Sequence, residues 1–311
     1  MMRYIIYFLC LSFLACNKEN TKTIISTLPN YEGSKGALLG TQIKSFEALK
    51  KIVDFKFDEN KKAVQLIHRS GNRFVISLLK EGVTEKDFEK AQYGQLKDKI
   101  ALAFKSPIAL IFRDDVKRVF LLSRRKGKLF GESDKSFYDI AEAMMANIDR
   151  NAYKKRHSNY SRKDFTEKGF TNTFNHLTAQ AIITTLFSEK LADYVADAHE
   201  LARIPELITG QFSDEQKSDL DNGPVDNYVD VINNEWGQEL GKALKRKYKI
   251  RRSTKWTNRL LTDYLNDIQS YGKWAFDYEC KPFESNQELI QKIVYKINLV
   301  MGITEGRNSI I

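Results

Sequence analysis

The chain has 311 residues, 42 % of them hydrophobic, and carries 50 Lys and Arg against 40 Asp and Glu, a formal charge of +10. That length and apolar content suit one large or two modest domains with real cores and exclude a chain too polar to fold. Three cysteines (Cys10, Cys16 and Cys280) exclude a Cys-rich metal centre, and the positive surplus admits anionic partners without identifying one.

The first elements concern placement. Residues 1–15 carry one cation, Arg3, an apolar run from Tyr4 to Leu14, and Ala15 before Cys16. This pattern resembles the signal peptide of bacterial lipoproteins. The resemblance implies cleavage before Cys16, lipid on that cysteine, and a membrane anchor at the new N-terminus. The apolar run is shorter than the roughly 20 residues that span a bilayer. Residue 17 is Asn rather than an acid, which in lipoprotein terms implies outer-membrane placement in the cell envelope, and Lys18-Glu19 resembles the charged export signals of surface lipoproteins. With the signal and its Arg3 removed, 49 basic residues face 40 acidic ones, and Cys280 stands without an intrachain partner. Residues 16–40, with Pro29, Gly33-Ser34, Gly36 and Gly40, read as a tether.

From 41 to 130 the pattern predicts a small antiparallel α+β domain of five strands and two helices. Ser45 to Val53 reads as a short helix, and Val53 to Phe57 alternates apolar with charged residues like a half-buried strand. Ala63 to His68 and Phe74 to Leu79 flank Ser70-Gly71-Asn72, a hairpin signal. Thr84 with Asp87 caps a helix expected to turn Phe88, Leu96, Ile100 and Phe104 inward. Ile108 to Phe112 and Arg118 to Leu122, joined by Arg113-Asp114-Asp115, read as a second strand pair.

After Gly131 strand signals stop, so 131–311 is predicted to be an all-helical domain and the whole chain α+β. One helix starts at Ser133 with Phe137, Ile140, Ala141, Met144 and Ile148 on a stripe. Others run from Asn172 to Phe187, Glu189 to Arg203, Val225 to Tyr248, Thr254 to Tyr271, and from the capping box Ser285 to Glu288 to about Met301. Three basic runs, Lys117 to Lys128, Lys154 to Lys163 and Lys242 to Arg252, would attract anionic lipid or glycan. For a chain held at an envelope these partners, or a protein, rank above nucleic acid.

The helical half holds the candidate chemistry. His176 sits on an otherwise apolar helix, and His199 ends the stripe Ala192, Val195, Ala196, so its ring is expected to face the core with Glu200 turned elsewhere. On the next long helix, Asp226, Asp230, Asn233, Gly237 and Gly241 are spaced by three and four and share one face, with Asn234 beside Asn233. Glycine inside a helix costs about 1 kcal/mol against alanine, so two in register suggest close approach of another helix. Buried polar groups must be paired. His176, His199 and Asp230, with Glu200, could therefore hold a divalent metal or activate water. The alternative is a hydrogen-bonded clamp between helices. A zinc-protease His-Glu-x-x-His motif is absent because Arg203 takes the second His position, and no Gly-x-Ser-x-Gly elbow occurs.

Asn175-His176, Ala198-His199-Glu200 and Asp230-x-x-Asn233-Asn234-x-x-Gly237, in that order, resemble an uncharacterised helical domain of secreted bacterial proteins and toxin-type C-termini. That family's pattern is Asp-Ala-x-Arg-His, Ala-His-Glu and Asp-Leu-x-Asn-Asn-x-x-Gly, and the resemblance covers residues 172–241. It implies that His176, His199, Glu200, Asp230, Asn233 and Asn234 form a shared site. Here Asn172 and Asn175 stand where the family has an acid and an arginine, so an anion-binding or orienting group is missing. Two functions are expected on these grounds: a lipid-anchored binding module whose polar cluster holds the fold, or a metal- or His-dependent hydrolase of an ester or phosphoester.

Overall fold

The computed structural model describes residues 36–82 and 84–303; the expected signal peptide, Cys16 and most of the tether lie outside them. The fold is α+β, 63 % helical, with one three-stranded antiparallel sheet near the start of the described chain. Residues 36–40 depart from the tether expectation. Ala37, Leu38 and Leu39 are apolar and buried, so this stretch packs into the core. A turn of 3-10 helix at Gly40–Gln42 and helix α1 (Phe46–Lys50), capped by Ser45, lead into the sheet.

Strands β1 (Val53–Asp58), β2 (Ala63–Ser70) and β3 (Arg73–Lys80) pair in the order β1-β2-β3. The β2–β3 hairpin closes with Ser70 opposite Arg73, and Gly71 supplies the left-handed φ of +57° that the tight turn demands. Helix α2 (Glu85–Tyr93) carries the expected box: Thr84 Oγ1 accepts from the Asp87 amide at 3.3 Å, and Asp87 Oδ2 accepts from the Thr84 amide at 3.0 Å.

Two expectations fail between 94 and 123. The stretch expected as one helix breaks at Gly94, and α3 (Leu96–Lys105) restarts from its own cap, where Gln95 N donates to Asp98 Oδ2 at 2.9 Å. The restart resets the helical phase. Phe88 is buried, but Leu96, Ile100 and Phe104 point outward. The second strand pair is instead α4 (Pro107–Ile111) and α5 (Arg113–Ser123), so the sheet has three strands and not five. Pro107 at the first helical position and Asp114-Asp115 in a first turn are helix-start chemistry. Buried Val116, Val119 and Leu122 are spaced by three, as on a helix face.

The remaining helices are α6 (Gly127–Phe130), α7 (Phe137–Asn147), α8 (Arg150–Arg156), α9 (Asn172–Leu186), α10 (Glu189–Arg203), α11 (Asp214–Ser218), α12 (Pro224–Lys247), α13 (Asn258–Phe276) and α14 (Glu288–Val300). Their apolar faces and those of the sheet join one continuous buried cluster from Ala37 to Val300. Helix α12 is its centre. Tyr228 stacks on Phe46 at 5.7 Å and meets Phe55 edge-on at 4.8 Å, while Trp236 Nε1 donates to His68 Nδ1 of β2 at 3.0 Å. On its other side α12 lies directly against α9. A Cβ on Gly237 would fall 2.6 Å from the Leu177 carbonyl oxygen, and one on Gly241 2.5 Å from that of Ala181. Two missing side chains let the backbones approach, and this places the polar residues one turn earlier.

Candidate metal centre

His176 projects from the first half of α9, Asp230 and Asn234 from facing positions one turn apart on α12, and Glu200 from the end of α10. His176 Nε2 lies 3.2 Å from Asp230 Oδ2, and its Nδ1 is 2.9 Å from Asn234 Oδ1. An amide oxygen only accepts, so Nδ1 carries the proton and Nε2 faces the acids. Asn172, one turn before His176, donates its Nδ2 to Asp230 Oδ1 at 2.8 Å. Asp230 therefore has one oxygen held by an amide and the other turned to the imidazole.

Glu200 is 1 % exposed, and its Oε2 has no hydrogen-bond partner among the described residues. One nitrogen of His176 and one oxygen each of Glu200 and Asp230 lie within 4.8 Å of one another. A buried carboxylate oxygen left unpaired costs several kcal/mol unless it is protonated or meets a cation. The two neutral amides hold the outer atoms of His176 and Asp230 and leave the inner ones paired only with each other, the usual arrangement of groups supporting metal ligands.

The site's charges are strongly coupled. Burial works against a charged His176, but Asp230 beside it, with Glu200 further off, pushes its pKa up to about 10. Burial and then the Asp230 charge push the Glu200 carboxyl up to about 8, against the pull of His176 and Arg203. Asp226, one turn ahead of Asp230 and 3.7 Å from Lys168 Nζ, is raised to about 7, again by burial first and Asp230 second. Protons here substitute for missing positive charge, and a divalent cation could replace them.

Of the residues expected at the site, His176, Glu200, Asp230 and Asn234 meet, whereas His199 and Asn233 do not. His199 Nδ1 pairs with Glu85 Oε1 at 3.2 Å, its side chain 42 % exposed, so it is no partner of His176 in a ligand set. The reason is helical phase. Ala192, Ala196 and Glu200 follow one another at four-residue steps, so the acid, and not the histidine, continues the buried row. Asn233 serves the backbone: its Oδ1 accepts from Leu38 N at 2.7 Å and its Nδ2 donates to Leu38 O at 2.9 Å. Asn172 is the participant whose role in holding Asp230 was not expected, although its spacing of four from His176 signals a shared face.

The site opens on a cleft of about 910 Å³ between α2, α5, α7, α9 and α10, with His176, Glu200 and Asn234 on its floor. Phe88, Phe120 and Val195 make apolar wall, Arg124, Lys126 and Arg203 add cations, and Glu85, Glu89 and Glu167 add acids. His199 lines the same cleft. The lining thus joins apolar surface to charges of both signs. No family model, no curated protein and no solved structure matches the chain.

Proposed function

We propose that the protein holds a divalent cation between His176 Nε2, Glu200 and Asp230 and hydrolyses an ester or phosphoester bound in the cleft, at a cell envelope to which lipid on Cys16 anchors it. The supporting observation is one donor atom each from His176, Glu200 and Asp230 within 4.8 Å of one another, with the glutamate buried and its Oε2 without a hydrogen-bond partner among the described residues. One imidazole nitrogen with two carboxylate oxygens suits Zn, Mn or Fe(II) better than Ca, which prefers oxygen alone. Such a cation would polarise the scissile group and lower the pKa of a water beside it. Asn234 and Asn172 would keep the imidazole tautomer and the carboxylate in place, and the cleft cations would hold an anionic substrate.

The test is metal analysis of purified protein, with turnover of nitrophenyl esters and bis-nitrophenyl phosphate across Zn, Mn and Mg. Asp230→Asn should lower both cation affinity and turnover by more than the roughly 10- to 100-fold typical of losing a group that only supports a ligand, while His199→Ala should leave cation affinity unchanged. Absence of cation binding to wild-type protein would sink the reading. A second reading, a cleft that binds a ligand without turning it over, is favoured by Asn172 and Asn175 in place of the acid and arginine of the resembling domain. It predicts cation-dependent ligand binding with no product.

A further inference from the structure

Helix α3 enters the core through a single side chain. Of its ten residues only Leu102 is buried, whereas Leu96, Ile100 and Phe104 are 69, 52 and 88 % exposed. These three recur at every fourth position and form one stripe on the side of the helix away from Leu102. Tyr93, three residues before the stripe, is 75 % exposed and also lines the mouth of the cleft. Scattered surface apolar residues need no explanation, but a stripe of large ones on one helix face marks a binding surface.

The stripe is bordered by charge. At about 100° per residue, Lys97 and Lys99 fall on its two sides. The surrounding segment, residues 86–128, holds twelve Lys and Arg against five Asp and Glu, a surplus of seven out of the chain's ten. Lysine stems can lie along apolar surface while their ammonium groups reach outward to phosphate. A protein partner fits less well, since the cores of protein interfaces are depleted in lysine.

We propose that α3 docks on an anionic lipid bilayer, with Leu96, Ile100 and Phe104 among the acyl chains and Lys97 and Lys99 against lipid phosphates. The helix lies in the plane of the interface, as one-sided helices with basic borders do.

The proposal is tested by hydrogen exchange on the full chain with vesicles of phosphatidylcholine, alone or mixed two to one with phosphatidylglycerol. Attachment through the N-terminus alone leaves α3 amides unprotected, so the readout is specific to this helix. Amides of 96–105 should slow on the mixed vesicles, little on phosphatidylcholine, and less in high salt. In the Leu96→Gln, Ile100→Gln, Phe104→Gln variant, the vesicle concentration giving half-maximal protection should rise at least about tenfold, from the apolar area no longer inserted. Lys97→Gln and Lys99→Gln should each raise it about fivefold. The three replaced side chains are exposed, so an unchanged melting temperature certifies the fold. Vesicle-bound protein whose α3 exchanges as in free solution would overturn the proposal. So would protection without vesicles: if it grows with protein concentration the stripe meets a second copy, and if it survives dilution another segment of the same chain covers it.

Discussion

Glu200→Gln tests the acidic floor of the cleft most directly. In the folded protein burial and Asp230 raise the Glu200 pKa from its ordinary 4.5 to about 8. Between those values the folded state binds a proton that the unfolded state has released, so stability falls as pH rises from 4.5 towards 8. At pH 7 the limit of this cost is about 3 kcal/mol, from 1.36 kcal/mol per pKa unit. Glutamine keeps the shape and does not titrate. Part of the gain is lost because the new amide has donors to satisfy in a buried place, at about 1–2 kcal/mol. A net stabilisation of roughly 1–2 kcal/mol at pH 7 in chelator remains, or about 2–4 °C in melting temperature for a chain of this size. With a cation at one hundred times its dissociation constant, wild-type protein should gain about 2.7 kcal/mol and the variant almost nothing. Calorimetric melts at pH 5, 7 and 8, with and without Zn or Mn, decide the matter. A variant less stable than wild type at pH 8 in chelator, or one that keeps the full cation shift, would refute the reasoning.

Gly237→Ala should destabilise by about 1–3 kcal/mol despite alanine's better helix propensity, because its Cβ meets the Leu177 carbonyl on α9; urea melts measure this, and an unchanged midpoint would mean the two helices part freely. Asn233→Ala leaves the Leu38 amide without its buried partner and the Leu38 carbonyl with only Thr173 Oγ1 at 3.2 Å. It should cost about 2–4 kcal/mol and speed exchange of the Leu38 amide. His68 is fully buried and its pKa is lowered to about 4 by burial. A histidine depressed in the folded state favours folding above its ordinary 6.5 and loses that contribution as pH falls from 6.5 towards 4. Stability should therefore drop by about 3 kcal/mol over this window, and His68→Asn should flatten the drop.

Glycine spacing was the most informative signal in the sequence. Gly237 and Gly241 lack any local turn to justify them, so a neighbouring backbone was the remaining reason, and α9 is that neighbour. Adjacent positions on one helix were harder to separate. His199 and Glu200 differ by about 100°, both border the row Ala192, Ala196, and only the packed structure shows which side α12 occupies. The apolar runs 108–112 and 118–122 are too short for periodicity to choose between strand and helix, and Pro107 was the overlooked cue. For Leu96, Ile100 and Phe104 the period was right but the direction was not, because a stripe states which residues share a side and not whether that side meets the core. Asn233 and Asn234 could not be told apart by type, although one grips a backbone and the other an imidazole.

The grip of Asn233 on Leu38 has a mechanical side. Both backbone groups of Leu38 are fastened to the helix that also supplies Asp230 and Asn234, and the Ala37 amide is held by Tyr271 Oη at 3.0 Å, so force entering from the amino-terminal direction is shared between these two fastenings, the one at Asn233 lying one turn from the acid. A leash of the proposed kind, pulled from that end, would load the floor of the cleft as well as the core, which would make attachment and chemistry parts of one lever.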